Sequence, residues 1–226
     1  MRFVERQARL EKRTYEAIDE LEDIFDVEVH NYPEVRWLGR KGHFEDLGLQ
    51  EYYREDVEGF QKAGWCVFIH KPNMIILNSE DPSLFCEEAA HFVHLHASNI
   101  RSHNKNKEDY FAANALMEMF GYLGSKILNV SRKNPYRAYP DYFALAEARG
   151  VAFIQAMKPI QELDSEGVAE MLIHSQGYGL AERVFYALQT GQTNMDYFQK
   201  LIRQSLSKSG QATKTFKELR QEFWPV

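Results

Sequence analysis

Cysteine is scarce in this sequence: only Cys66 and Cys86 occur, far apart and in no Cys-x-x-Cys pair. That scarcity excludes a disulfide framework and a cysteine-rich zinc module, and it fits a reducing, cytoplasmic compartment. Cys86 stands beside a pair of glutamates, where it reads either as a thiolate ligand or, following the burial habit of free cysteine, as a small buried residue at a helix start. Long apolar runs are missing as well. None approaches the ~18 residues of a membrane span, and the basic stretch Met1–Arg13 is interrupted by acids and lacks the apolar centre of a signal peptide. The expectation is a protein made without export and with no membrane partner. Positive charge is also in short supply, with Lys+Arg 27 against Asp+Glu 33 and a net charge of -6, so nothing draws the chain as a whole to nucleic acid. There is no phosphate-cradling glycine loop and no Ser/His/Asp spacing of nucleophilic type. Repeats, low-complexity tracts and linkers rich in Pro, Gly or Ser are absent too, so residues 1–226 read as a single domain.

What is present is an ordinary globular composition, 44% hydrophobic with 13% aromatic residues, arranged in two halves. Residues 4–25 place Val4, Leu10, Ala17, Ile18, Leu21 and Ile24 at helical steps among charges, which predicts an amphipathic helix. Short β-prone pieces follow at Asp26–His30 and Val35–Leu38, around a turn at Asn31-Tyr-Pro33. Trp65–His70 and Met74–Asn78, joined by Lys71-Pro-Asn73, read as a hairpin. Asp81 or Ser83 can then cap a helix that begins near Pro82 and runs to about Ala97. Beyond residue 100 the pattern is helical, with segments expected near 107–129, 140–157, 164–174, 177–190, 194–207 and 213–222. Gly150, Gly167, Gly177 and Gly191 mark breaks or close packing there. The fold class is α+β: a short helix-and-strand portion to about residue 80, then a helical portion.

The helix near 82–97 carries Cys86-Glu-Glu-Ala-Ala-His-Phe-Val-His94. Positions i and i+4 of a helix lie one turn apart on one face, and i+1 lies ~100° round. In the His-Glu-x-x-His zincin motif that geometry lets two histidines bind zinc while the glutamate between them polarises a water. Here Glu87 occupies i, Glu88 i+1 and His91 i+4, so the register is kept and the first histidine is replaced. His94, at i+3 from His91, can share such a site or support it, and His96 points elsewhere, toward the surface.

Glu87-Glu-Ala-Ala-His91, preceded by the strand Met74–Asn78, resembles the gluzincin branch of the zincin-like metallopeptidases. The resemblance implies a zincin-like fold, metal-assisted hydrolysis of a peptide or protein substrate, and a cleft edged by that strand. It implies Glu87, His91 and Glu118 as ligands of a divalent ion, zinc first, with Glu118 supplied by Met117-Glu-Met-Phe-Gly-Tyr-Leu-Gly124, whose glycines permit close helix approach. Glu88 takes the place of the general base. In His174-Ser-Gln-Gly-Tyr178 it implies His174 or Tyr178 as a donor to a developing oxyanion.

Replacing a neutral histidine by Glu87 lowers the charge of the site by one. A less positive ion acidifies water less. An oxygen-rich donor set also shifts preference toward harder ions such as manganese or iron. Other readings stay open. Glu87 and Glu88 suit a solvated helix face with His91 as a polar partner, and His174 suits a structural histidine. Glu118, set among Leu116, Met117, Met119 and Phe120, needs some partner if buried, which an arginine or a helix terminus also provides. Glu88-Ala-Ala-His91 has the spacing of di-iron carboxylate bundles, but no second Glu-x-x-His pair accompanies it. A non-catalytic protein that keeps the scaffold to bind a partner is the remaining alternative.

Overall fold

Leu10, Ala17, Ile18 and Leu21 recur at helical steps, and in the computed structural model they form the fully buried stripe of α1 (Phe3–Phe25). Val4, grouped with them by periodicity, is instead exposed, because the helix end projects past the core. The structure describes residues 3–38, 66–69, 73–98, 107–132, 166–203 and 210–224. They form a mixed α+β fold, mostly helical, with a small three-stranded sheet. The expected helix at 140–157 lies outside the described residues. No helix among them is long and apolar enough to cross a membrane.

The sheet comprises β1 (Glu34–Trp37), β2 (Cys66–Ile69) and β3 (Met74–Leu77), in the order β1-β3-β2. β2 and β3 make the expected antiparallel hairpin, turned at Asn73, whose φ of 53° asparagine accepts more readily than most residues. β1 pairs with β3 in parallel, Val35 opposite Ile75. Met74–Leu77 is thus the central strand, buried at every residue, and does not edge a cleft; the strand nearest the site helix is β2. Asp26–His30 forms no strand despite its alternation. Glu22 Oε1 accepts the Val29 N–H, so that segment is tied to α1 and not to a sheet.

Five further helices complete the fold: α2 (Pro82–Ser98), α3 (Lys107–Ser131), α4 (Glu166–Gln189), α5 (Met195–Arg203) and α6 (Gln211–Phe223). Asp81 starts α2 as expected, its Oδ1 accepting the Ser83 N–H at 3.0 Å. α3 lies between α2 and α4, while α1 covers α2 and α6 packs on α3 and α4. The expected break between 174 and 177 is not there, because α4 runs through Gly177. A Cβ on Gly177 would stand 2.4 Å from Glu118 Cβ and 2.7 Å from the Ala115 carbonyl oxygen. The glycine costs about 1 kcal/mol of helix propensity, and the close seam between α3 and α4 offsets it. α6 starts at Gly210 (φ 79°) with no cap from its own side chains. Asp109, fully buried in the first turn of α3, substitutes by accepting from the N–H groups of Gly210 at 2.8 Å and Thr213 at 2.9 Å.

Candidate metal centre

One turn of α2 puts Glu87 and His91 on the same buried face, and α3 brings Glu118 against it. Each offers a ligand atom, and these atoms lie within 4.8 Å of one another. His91 Nε2 and Glu118 Oε2 are 3.6 Å apart. Neighbouring donors around a tetrahedral ion at ~2.0–2.1 Å stand about 3.3–3.4 Å apart, so the separation has the scale of a ligand edge. The imidazole gets this close because position 121 is glycine, where a Cβ would lie 2.3 Å from His91 Cε1. Glu87, His91 and Glu118 form a buried group that can hold a metal ion.

The protonation states fit that role. Burial, followed by the charge of Glu118, pushes the Glu87 carboxyl up to about 7, while a hydrogen bond from Tyr178 and the nearby His174 work against the rise. Burial, then His174, lowers His91 to about 4, so its imidazole is the neutral, ligating form at neutral pH. Glu87 Oε1 and His91 Nδ1 are buried and have no hydrogen-bond partner. Orphaned polar atoms of this kind cost free energy, and a cation held by His91 Nε2 and the two carboxylates would relieve that cost at Glu87 Oε1 together with the repulsion between the carboxylates.

Glu88 points from the next position on α2 toward the sheet and is half-buried, its Oε2 accepting the Phe68 N–H of β2 at 2.7 Å. Burial, then Glu87 and Glu118, raise its carboxyl well above the usual range. It is not one of the three mutually close donors. From α4, His174 Nε2 comes within 3.4 Å of Glu118 Oε2, and a 37% exposed side chain gives it a route to solvent. Tyr178, one turn on, donates to the Glu87 carboxylate and stacks on Tyr122 with ring centroids 4.6 Å apart. The Tyr122 hydroxyl donates to Glu182 Oε1 at 2.9 Å, and Lys126 pairs with the same carboxylate.

Five of the six candidate residues, Glu87, His91, Glu118, His174 and Tyr178, therefore gather where α2, α3 and α4 meet, while Glu88 beside them turns to β2. His94 is not among the mutually close donors: its ring is fully buried on Phe120, 4.3 Å between centroids, with both nitrogens unpartnered. His96 is half-buried over Phe92 and not a free surface residue. Cys86 is buried with its thiol pushed up to about 12, chiefly by burial, which agrees with the apolar reading and not with a thiolate ligand. Tyr122 was not legible as part of the site. The one signal for it was its position four residues after Glu118, which puts it one turn further along the same helix.

No family model matches the chain, and no curated protein or solved structure does.

Proposed function

We propose that this chain is a zincin-type metal-dependent hydrolase acting on a peptide-type bond. The observation that carries the reading is the convergence of Glu87, His91 and Glu118 in one buried group. Zinc is the first choice of ion, with manganese or iron favoured by the two carboxylates among three donors. A divalent ion there supplies Lewis acidity, polarising a carbonyl and acidifying water, less strongly than at a site with two histidines because the donors cancel its charge.

The protein side of the chemistry falls to its neighbours. Glu88 is the general base. Its bond to the Phe68 N–H fixes the carboxylate through one oxygen and leaves the other for a proton. Tyr178 gives its single O–H to the Glu87 carboxylate and holds it in place, and His174 provides the donor for the charge that develops on a substrate carbonyl oxygen. Titration calorimetry of chelator-stripped protein with zinc and with manganese tests the first step; binding no tighter than ~1 mM would end the metal reading. Hydrolysis of a peptide library by the metal-loaded protein, and its loss in Glu88→Gln, tests the second. Undiminished hydrolysis in that variant would remove Glu88 as the base.

The hydrogen bond between Glu88 and the sheet also favours a second reading, a metal-stabilised scaffold that binds a partner and does no chemistry. Tight metal binding with no hydrolysis across the library, combined with loss of thermal stability in Glu88→Gln, would select it.

A further inference from the structure

A second polar cluster lies on the other side of α4. Gln176 is two residues from both His174 and Tyr178, which is ~200° round the helix, so it faces away from the metal-binding group. It meets Arg220, in the last turn of α6, whose Nη1 donates to Gln176 Oε1. Arg220 is 5% exposed and Gln176 is fully buried. The guanidinium lies over Trp224, Cζ 4.4 Å from the ring centroid. Its Nε and Nη2, and the Nε2 of Gln176, are buried with no hydrogen-bond partner among the described residues, none of whose carboxylates forms an ion pair with Arg220.

These atoms are not a random set. Nε and Nη2 form the edge of a guanidinium that presents two parallel N–H groups, the edge that grips an oxyanion bidentately. A buried carboxylic acid or lysine can shed its charge by titrating, but arginine cannot. Burying such a cation without a counter-charge costs several kcal/mol, which the Trp224 ring offsets in part and an anion would offset further.

We propose that Arg220 and Gln176 form a binding site for a carboxylate, gripped by Arg220 Nε and Nη2, with Gln176 Nε2 as a third donor and Trp224 covering the plane. A monocarboxylate neutralises the single guanidinium, whereas a dianionic phosphate would leave a buried negative charge against a neutral amide. The site does not depend on the metal reading, since it shares no side chain with Glu87, His91 or Glu118.

The test is a titration of the full chain with sodium acetate against sodium chloride at matched ionic strength. The unfolding midpoint should rise saturably by about 2 °C or more in acetate, with tryptophan emission changing over the same range. Both responses should vanish in Arg220→Gln. No saturable response up to ~100 mM acetate, or an unchanged response in Arg220→Gln, overturns the site. Should Arg220→Gln not fold, Trp224→Phe decides: the emission change disappears while the midpoint shift stays, and an emission change that persists overturns the site. A larger shift with inorganic phosphate than with acetate overturns the assignment to a carboxylate.

Discussion

The two faces of α4 carry buried polar clusters of opposite deficit. On one, Glu87 and Glu118 converge on His91 with Glu88 beside them, an excess of carboxylates. On the other, Arg220 rests against Gln176 and meets no anion among the described residues. The difference lies in what each can do about it. The carboxylate cluster can take up protons, and the upward shifts of Glu87 and Glu88 record that escape. The guanidinium has no such escape, so its cost stays at every ordinary pH until a ligand arrives. A protonatable site can be stable empty and respond to pH, whereas a site built on arginine responds only to ligand.

The largest expected effect breaks or keeps this contrast directly. In chelator-treated protein, Glu87 has a folded pKa of about 7 against a usual value of 4.5. The folded state then binds its proton more tightly than the unfolded state, so the contribution is full below ~4.5 and is lost as pH rises through ~7. Glu87→Gln cannot ionise, and the parent should lose up to about 3 kcal/mol relative to it across that window, read by urea unfolding at a series of pH values. Arg220→Gln should show no such pH-dependent difference from the parent. Parallel curves for parent and Glu87→Gln would mean that the carboxylate cluster is not under electrostatic load. Added zinc should invert the trend, because the ion competes with the protons.

Next in size is Glu118→Gln, which keeps the shape but removes the charge common to the site. Loss of outer-shell partners alone lowers metal affinity 10–100-fold, so removing a ligand charge should lower zinc affinity on the order of 100-fold or more by calorimetry. A change of less than threefold would place Glu118 outside the site. The smallest effect concerns His94, a buried ring whose nitrogens are unpartnered and whose pKa burial lowers to about 3. It is neutral, so it carries only the cost of unmet hydrogen bonds. His94→Leu should stabilise the fold by about 1 kcal/mol in denaturant titration and leave zinc affinity unchanged. Weakened zinc binding in that variant would bring His94 back into the site.

What could be read in the sequence follows the reach of each interaction. Glu87 and His91 share one helix, so their spacing alone fixes their common face. The approach of Glu118 was legible only through resemblance and through the glycines of α3, since Gly121 reveals its purpose only when the ring of His91 is seen against it. Gly177 marked either a break or a seam, and only a partner helix could decide between them. The central place of β3 rests on parallel pairing with β1, a contact across the intervening chain that leaves no local pattern. Likewise Asp26–His30 has the alternation of a strand, and a side chain of the preceding helix claims its backbone. Arg220 and Gln176, 44 positions apart and in no motif, could be joined only by the fold.

Asp109 ties these parts together in a further way. Its carboxylate sits where α3 and α6 both begin, bonded to the first N–H groups of α6. The positive ends of two helix macrodipoles therefore lie side by side, and one negative charge serves both. Because the capping bonds reach only the first turn of α6, they also fix how far that helix can slide along α3. The guanidinium on α6 and the carboxylate of Glu118 on α3 thus take their axial positions from one shared anchor.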